Sequence, residues 1–211
     1  MENKQQACDN LERYIAQTKA VINGIAAHLQ GYGNAILAEH ISPLRSQIDL
    51  MQSTMPALFN ILENQIDLYD LNILDLCVGT GNISFELLSR EAGVVTAVDT
   101  NLNCLRFVRK NAEEMKIDEE IRTVKMDILH FLKLTEETYD LIFADPPYDY
   151  KHCEEIAKIV FERKLLNEGG ILVIEHGKQT SLETITQFDF LRTYGGVHFS
   201  FFRNEAEIEK K

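Results

Sequence analysis

From residue 72 onward, apolar strand-like segments alternate with amphipathic helix-like segments, and this alternation constrains the fold more than any other feature of the chain. The strand-like segments are short and rich in apolar residues: NILDLCV, VVTAVD, RTVKMD, YDLIFAD and ILVIEH. Strands that alternate with helices in this way form a parallel sheet covered on both faces. The last segment, FDFLRTYGGVHFSFFR, breaks the rhythm and predicts two antiparallel strands at the sheet edge, joined at Gly195-Gly196.

The residues that precede this region predict a helical leader. In residues 9–30, apolar side chains recur at steps of four and three, which is one face of a helix. Two further helical stretches follow, the second over residues 55–66. We therefore expect a helical N-terminal region over residues 1–66 and an α/β domain over residues 67–211. The apolar face of the first helix either packs on the rest of the protein or forms a short seam between the two copies of a homodimer.

The chain is acidic, with a net charge of −12 over 211 residues. So negative a balance disfavours a broad phosphate-binding surface, and the nearest approach to a basic patch is one helix face that carries Arg106, Arg109 and Lys110. The four cysteines are scattered, without a C-x-x-C pair or a histidine at zinc-ligand spacing, which indicates reduced thiols and no metal site. No apolar signal core and no membrane-spanning run is found, so we expect a cytoplasmic protein with no membrane partner.

A glycine-containing loop, Asp75-Leu-Cys-Val-Gly79-Thr-Gly81, follows the first predicted strand. Glycine allows the backbone to approach a ligand closely, and open α/β sheets bind ligands at the carboxyl ends of their strands. The dinucleotide-binding fingerprint requires a third small residue, glycine or alanine, where this chain has Ser84. The pattern therefore predicts a ligand-binding loop and argues against a nicotinamide or flavin enzyme.

Four successive strands each end in an aspartate: Asp75, Asp99, Asp127 and Asp145. An acid at the end of the second strand, such as Asp99, can accept hydrogen bonds from both hydroxyls of a ribose. Asp127 lies between two apolar neighbours and can accept a hydrogen bond from an adenine amine. Any one of these acids can instead be a helix N-cap or a solvated side chain. Four in succession favour a nucleoside site at this edge of the sheet.

The order of the segments "DLCVGTG", "VTAVD", "VKMD" and "DPPY" resembles that of the class I S-adenosylmethionine-dependent methyltransferases, in the branch that methylates exocyclic amines of nucleobases. Within that branch the chain is most similar to the RsmD-like family, which methylates a guanine amine in small-subunit ribosomal RNA. "ALFNIL", "YDLIFADPPY" and the closing strand pair carry this likeness, over about residues 55–203. The family usually begins with a basic β-hairpin, whereas this chain has an acidic, helical leader.

The resemblance implies a fold, a cofactor and a set of binding residues. The fold is a Rossmann-like, seven-stranded, mostly parallel sheet with one antiparallel edge strand, preceded by the helical leader. The cofactor is S-adenosyl-L-methionine. The residues that correspond to the family's cofactor site are Asp75, Cys77, Gly79, Gly81, Asp99, Thr100, Asp127, Ile128 and Asp145.

The catalytic residues that the resemblance implies form one turn, Asp145-Pro146-Pro147-Tyr148. An aromatic amine is a poor nucleophile because its lone pair is delocalised into the ring. The Asp145 carboxylate can accept a hydrogen bond from one N–H group of the amine, and the Pro146 carbonyl can accept one from the other. Proline has no backbone N–H that would compete as a donor. Tyr148 offers a flat face on which an extruded base can stack. The alternative is a strand terminator with a surface tyrosine.

The leading hypothesis is methyl transfer from S-adenosylmethionine to an exocyclic amine of a nucleobase, with guanine in ribosomal RNA as the favoured target. RNA or a ribosomal particle is then the partner. Two alternatives stay open: an amine methyltransferase that acts on a protein or a small molecule, and a cofactor-binding subunit that needs a partner to capture substrate. We interpret Glu175 and His176, at the end of the fifth strand, as a buried strand-end pair rather than as site residues.

Overall fold

The computed structural model of the chain describes residues 55–194 and 196–205. These residues fall into two compact units, residues 55–67 and the residues from 68 onward, and each is described by itself. The predictions for residues 1–54, which include the first leader helices and the homodimer seam, lie outside the described residues. Within the described ranges, no helix has the length and apolar character needed to cross a membrane.

The first unit contains helix α1, which covers residues 55–65. A hydrogen bond of 2.9 Å from the Ile66 amide to the Leu62 carbonyl closes its last turn, and the Asn64 side chain donates to the Asn60 carbonyl at 2.6 Å. A helix is therefore present where the apolar segment ALFNIL predicts one. The domain boundary expected after residue 66 stays a prediction.

The second unit alternates strands and helices as the sequence predicts. Its elements in chain order are β1 (Asn72–Leu76), α2 (Asn82–Ser89), β2 (Val94–Asp99), α3 (Leu102–Met115), β3 (Ile121–Lys125), α4 (Ile128–Leu134), β4 (Tyr139–Ala144), α5 (Cys153–Glu162), β5 (Leu166–Gly177), β6 (Phe188–Tyr194) and β7 (Val197–Arg203). The strands form one seven-stranded sheet in the order β3-β2-β1-β4-β5-β7-β6.

The chain builds this sheet outward from β1 in two directions. β2 and β3 follow on one side of β1, and β4 and β5 follow on the other side, all of them parallel. The strand order therefore reverses between β1 and β4. In open parallel sheets, a crevice outside the carboxyl ends of the strands opens at such a point and binds ligands.

The predicted mostly parallel sheet with an antiparallel pair at one edge is confirmed, and the structure adds which strand of the pair lies inside. β7 runs antiparallel to both β5 and β6, so the reversed strand is next to the edge and β6 is the edge strand itself. β7 is buried along most of its length, whereas β6 is largely half-buried or exposed. The more apolar strand takes the inner position because both of its faces are covered there.

One core face of the sheet is filled by alternate strand residues. Leu74 and Leu76 of β1 and Ile142 and Ala144 of β4 are all buried and belong to one cluster with apolar residues of α4 and α5. Side chains two apart on a strand point to the same face, which places these four together. The rigid strands beneath this cluster hold the loops at their carboxyl ends in place.

Gly81, the residue that precedes α2, is expected to be intolerant of any side chain. Its φ is +82°, and a Cβ atom built there would lie 2.9 Å from the Phe85 ring and 3.0 Å from a methyl group of Val108. Gly81→Ala should therefore lower the free energy of unfolding by roughly 2–4 kcal/mol, from backbone strain and overpacking together. Urea unfolding measures this loss.

Gly169→Ala is the matched control for Gly81→Ala. Gly169 has a similar φ of +76°, but nothing lies within 4 Å of the position of its Cβ. It should lose only the strain component, about 1 kcal/mol. Equal losses of unfolding free energy in the two variants would show that contacts of the added Cβ with Phe85 and Val108 do not contribute to the cost at Gly81.

Candidate functional site

The four predicted aspartates meet at the carboxyl edge of the sheet. Asp99 is the last residue of β2, Asp145 directly follows β4, and Asp127 comes two residues after β3. Asp75 differs from the other three, because it is the fourth residue of β1 and is only 2% exposed. Three acids therefore line the rim of the crevice, and the fourth lies beneath its floor.

The loop between β1 and α2 turns sharply because three of its residues have a left-handed backbone. Their φ angles are 64° at Cys77, 53° at Gly79 and 82° at Gly81. The Val78 amide donates to the Val98 carbonyl at 3.1 Å, which ties the loop to the end of β2. A left-handed conformation costs a residue other than glycine about 1 kcal/mol or more, and such strained residues concentrate at functional sites. Cys77 is such a residue.

Asp99 is oriented by two backbone amides. Its Oδ2 accepts a hydrogen bond of 3.0 Å from the Gly79 amide, and its Oδ1 accepts one of 2.7 Å from the Asn101 amide. A carboxylate has about four acceptor positions, so both oxygens can still accept from a ligand. Thr100 follows immediately and is exposed. The acid is thus fixed at the loop with free acceptor capacity, and its role toward a ribose stays a prediction.

Asp75 is buried and takes a hydrogen bond from Ser84 instead of facing solvent. The Ser84 hydroxyl, at 0% exposure, donates to Asp75 Oδ2 at 2.5 Å. Burial raises the pKa of Asp75 to about 7, and repulsion from Asp145 and Asp99 adds to the rise. The serine that occupies the third position of the loop pattern therefore connects α2 to β1 through this acid.

The raised pKa of Asp75 gives a prediction for stability against pH. The folded protein binds this proton more tightly than the unfolded chain does, because the pKa rises from 3.8 to about 7 on folding. The contribution is therefore fully present below pH 4 and is lost as pH rises toward 7, by up to about 4 kcal/mol. Asp75→Asn should flatten this part of the curve in urea unfolding measured at pH 4.5 and pH 7.5.

Asp118→Asn is the control for Asp75→Asn, since Asp118 is an exposed acid in the turn before β3. It should keep the wild-type slope. The raised pKa values of Asp145 and Glu175 contribute a slope of the same sign, so the comparison between variants, and not the wild-type curve alone, identifies Asp75. An unchanged slope in Asp75→Asn would contradict the prediction.

Asp127 caps a helix and keeps one oxygen free. Its Oδ1 accepts a hydrogen bond of 3.1 Å from the His130 amide at the start of α4, which is the N-cap alternative considered from the sequence. Its Oδ2 makes no hydrogen bond among the described residues. Ile128, the first residue of α4, is buried beside it. The cap orients the acid at the rim, and its role toward an adenine stays a prediction.

The Asp145–Tyr148 turn is held at both ends by backbone hydrogen bonds. The Asp145 amide donates to the Leu76 carbonyl at 3.1 Å, and the Tyr150 amide donates to the Pro147 carbonyl at 2.8 Å. Pro146 is buried and Pro147 is exposed. The Tyr148 side chain is 60% exposed and lies beside Gly177 at the end of β5. The turn therefore presents an acid and an aromatic ring together at the crevice.

Glu175 belongs to this site, although the sequence suggested a buried strand-end role. Ala144 pairs with Ile174 in the register of β4 and β5, so the residues that follow them, Asp145 and Glu175, are neighbours. Burial raises the pKa of both carboxyls, and repulsion from Asp145 raises that of Glu175 further. Both acids also act on Tyr148, whose own pKa is raised mainly by burial. Two acids, not one, therefore accompany the tyrosine.

His176 keeps the buried role expected for it. It is 4% exposed, its Nε2 lies 2.8 Å from the Ser200 hydroxyl of β7, and its Nδ1 lies 3.0 Å from the Gly177 carbonyl. Burial lowers the pKa of His176, which keeps the ring neutral. Nδ1 then donates to the carbonyl and Nε2 accepts from the serine. His176 thus orients the chain at Gly177, beside Tyr148.

Tyr150 was not singled out by sequence reasoning, and its hydroxyl is the least satisfied group near the site. Among the described residues, only this hydroxyl and one carboxylate oxygen of Glu120 are buried side-chain atoms without a hydrogen-bond partner. Burial raises the pKa of Tyr150 to about 12, with contributions from Asp127 and Cys77. A stretch read only as D-P-P-Y therefore continues with a second functional candidate two residues later.

The site fits an S-adenosyl ligand in charge and in hydrogen-bonding capacity. Burial raises the pKa of Cys77 to about 12, and the carboxylates of Asp99 and Asp145 are the next causes, so the loop lies in a negative potential. Such a potential favours a ligand with a positive sulfonium centre. Asp99 and Asp127 both retain acceptor positions for a nucleoside. The described residues contain no group of histidine, cysteine and acidic side chains that could hold a metal ion.

The sheet order and the acid-lined loop define a class I methyltransferase, an enzyme class that uses S-adenosylmethionine as its cofactor. The family model described as "Conserved hypothetical protein 95" matches residues 33–203. The chain belongs to this family, which is the RsmD-like family that the sequence motifs predict.

Known relatives differ in the substrates that their names state. Ribosomal RNA small subunit methyltransferase D of Haemophilus influenzae is 28% identical over 152 residues, which cover 70% of this chain and 78% of the relative. Ribosomal protein uL3 glutamine methyltransferase of Neisseria meningitidis is 28% identical over 166 residues, 65% of this chain and 54% of the relative, so the chain spans about half of its length. An RNA methyltransferase from Salinibacter ruber, solved with S-adenosyl-L-homocysteine, shares the fold with a TM-score of 0.57 at 16% identity, covering 74% of this chain and 95% of that one.

Proposed function

We propose that the protein methylates an exocyclic amine of a nucleobase in ribosomal RNA, with guanine as the favoured base. The observation that carries the proposal is the Asp145–Tyr148 turn, in which an exposed aromatic ring lies beside a pair of acids with raised pKa values. The relative named as a ribosomal RNA small subunit methyltransferase supports RNA as the substrate class.

The turn supplies acceptors to the amine. Asp145 Oδ accepts a hydrogen bond from one N–H group of the amine, and the Pro146 carbonyl accepts one from the other. The nitrogen lone pair is then directed away from both acceptors. The Asp145 amide is already engaged in the hydrogen bond to Leu76, and Pro146 and Pro147 have no N–H to offer. Positioning of this kind contributes most when the acceptors are rigid before the substrate arrives.

The acid pair also receives a proton. When bound, S-adenosylmethionine would supply a methyl group on a positively charged sulfur, which would leave as a neutral thioether when the methyl carbon is transferred to the amine nitrogen. The methylated nitrogen then carries a positive charge and one proton too many. Asp145, with Glu175 beside it, accepts that proton, and the raised pKa values of both carboxyls suit them to bind it near neutral pH.

Tyr148 and the residues that flank it receive the nucleotide. Its exposed ring offers a stacking face worth roughly 1–3 kcal/mol per base. Lys151 and Lys178 lie three residues after Tyr148 and one residue after Gly177, are exposed, and form no ion pair among the described residues. We infer that they contact backbone phosphates at the rim of an otherwise acidic site.

A second candidate is methylation of a glutamine side-chain amide in a ribosomal protein. The relative that is named for this reaction on protein uL3 favours it. A primary amide has the same two N–H donors and the same delocalised lone pair as a base amine, so the acceptors of the turn would serve it equally. The stacking face of Tyr148 and the two free lysines favour a nucleotide instead.

The two candidates are separated by one experiment on the purified full chain. It is incubated with methyl-labelled S-adenosylmethionine and, in separate reactions, small ribosomal subunits, deproteinised ribosomal RNA and purified protein uL3. We expect label in RNA, recovered as a nucleoside methylated on an exocyclic amine by mass spectrometry. Label in uL3 alone would establish the second candidate, and label in none of the three, with the cofactor bound, would overturn both.

A further inference from the structure

The strand-end acids and the D-P-P-Y turn leave one buried polar group near the crevice without a role, the hydroxyl of Tyr150. It lies in the chain segment between β4 and α5 and makes no hydrogen bond, although it is shielded from solvent. Leaving a buried hydroxyl unpaired costs about 1–3 kcal/mol, so native proteins seldom retain one without a ligand or a function. The hydroxyl is therefore a donor that lacks its acceptor.

The surroundings of Tyr150 place this donor on one side of the crevice. Its side chain packs against the core cluster that includes Ile128 and Cys153, and its ring contacts His152 edge-on at 5.5 Å between centroids. Lys133 in the last turn of α4 and Glu155 in the first turn of α5 are joined by an ion pair of 3.1 Å, so the end of α4 lies beside the start of α5. Tyr150 thus packs on the same cluster as Ile128, the residue that directly follows the acid that caps α4.

Burial is the main cause of the raised pKa of Tyr150, and Asp127 and Cys77 are the first charged groups that add to it. Tyr150 and Cys77 also pack against the same core cluster, which includes Ile128, so the hydroxyl lies in the region of the β1 loop and the start of α4. The hydroxyl keeps its proton throughout the physiological pH range, because its pKa is raised to about 12. It can donate to a neutral acceptor.

We propose that the Tyr150 hydroxyl donates a hydrogen bond to a ring nitrogen of the cofactor's adenine. This nitrogen lies beside the amine from which Asp127 accepts a hydrogen bond. An adenine presents donor and acceptor atoms next to each other, and Asp127 and Tyr150 are an acceptor and a donor next to each other. The inference rests on the proposed function, because it takes an S-adenosyl compound as the ligand. It adds a residue that selects the base of the cofactor.

The test is calorimetric binding of S-adenosylhomocysteine to wild-type protein, to Tyr150→Phe and to the control Tyr194→Phe on strand β6. Tyr150→Phe should weaken binding about 3- to 10-fold, the value of one neutral hydrogen bond, while Tyr194→Phe should not. The unliganded Tyr150→Phe protein should at the same time be as stable as wild type or more so, because the substitution removes an unpaired polar group. Weaker binding together with unchanged or higher stability separates a ligand contact from a structural one.

Deaza analogues identify the acceptor atom. S-adenosylhomocysteine analogues with carbon in place of N1, N3 or N7 are titrated against both proteins. The analogue without N1 or the analogue without N7, the two ring nitrogens beside the amine, should bind wild type about 3- to 10-fold more weakly than the parent compound, and Tyr150→Phe should not distinguish it from the parent. The first half of this comparison needs only wild-type protein, so it can overturn the proposal even if Tyr150→Phe fails to fold.

The outcomes distinguish this inference from the proposed function. If S-adenosylhomocysteine fails to bind wild-type protein, the proposed function fails. If it binds wild type and Tyr150→Phe equally, or if all three analogues bind wild type as tightly as the parent, Tyr150 does not contact the adenine and only the inference is overturned. A loss of stability in unliganded Tyr150→Phe that matches its loss of affinity would likewise mean a structural role.

Discussion

Asp145→Ala should reduce methyl transfer by a factor of about 100 or more while cofactor affinity stays within a few-fold of wild type. In the proposed function the carboxylate contacts the amine that is methylated, and loss of one positioned polar group from a transition state has this magnitude. The turn should keep its shape, because its backbone hydrogen bonds to Leu76 and from Tyr150 do not involve the side chain. Single-turnover transfer of labelled methyl, with calorimetry for the cofactor, measures the two quantities separately.

Two variants at this turn control the interpretation. Asp149→Ala removes an exposed acid four residues further along and should keep most activity. It shows whether activity depends on the acid at position 145 or only on the total negative charge nearby. Asp145→Asn keeps a carbonyl acceptor but cannot take a proton, so its activity should lie between those of wild type and Asp145→Ala. Full turnover by Asp145→Ala would mean that the turn only terminates β4 and that the proposed amine chemistry is mistaken.

Asp99→Ala should weaken binding of S-adenosylmethionine by about 1–3 kcal/mol, which corresponds to roughly 5- to 150-fold in Kd. The acid is already oriented by the Gly79 and Asn101 amides, so a ligand that hydrogen-bonds to it need not order it. Calorimetry on the purified protein measures the loss directly.

The exposed acid Asp118 provides the control for Asp99, because Asp118→Ala changes the net charge equally and should leave affinity unchanged. An S-adenosylhomocysteine analogue without the two ribose hydroxyls should bind wild type more weakly than S-adenosylhomocysteine does. For Asp99→Ala, the further loss of affinity on removing these hydroxyls should be small. Equal affinity in Asp99→Ala and wild type, or tight binding of a nicotinamide dinucleotide instead, would contradict the assigned role.

The sheet and its acid-lined edge were predictable because they depend on local patterns. Strand–helix alternation predicts parallel strands, and parallel strands bring their carboxyl ends together, so Asp99, Asp127 and Asp145 could be grouped from spacing alone. The hairpin was predictable from its two apolar runs. Which of its strands lies inside depends on comparing two similar segments for burial, and only the structure shows β7 there.

The residues that were missed depend on partners distant in the sequence. Ser84 served only as an argument against a dinucleotide, because nothing in the local pattern reveals that its hydroxyl meets Asp75 beneath the loop. Glu175 joins the site through the register of β4 and β5, which pairs residues thirty positions apart. Tyr150 is a candidate because its buried hydroxyl has no hydrogen-bond partner, and no sequence pattern predicts an unpaired atom.

The left-handed cysteine at the end of β1 has a consequence for the chemical durability of the enzyme. Only the thiolate form of cysteine reacts readily with peroxides, disulfides and alkylating agents. Burial and the surrounding carboxylates raise the pKa of Cys77 from 9.0 to about 12, which leaves about a thousandfold less thiolate at neutral pH. The acids that make the potential of the crevice negative thereby also suppress the thiolate of this half-buried cysteine, so Cys77 is expected to react slowly with oxidants and alkylating agents.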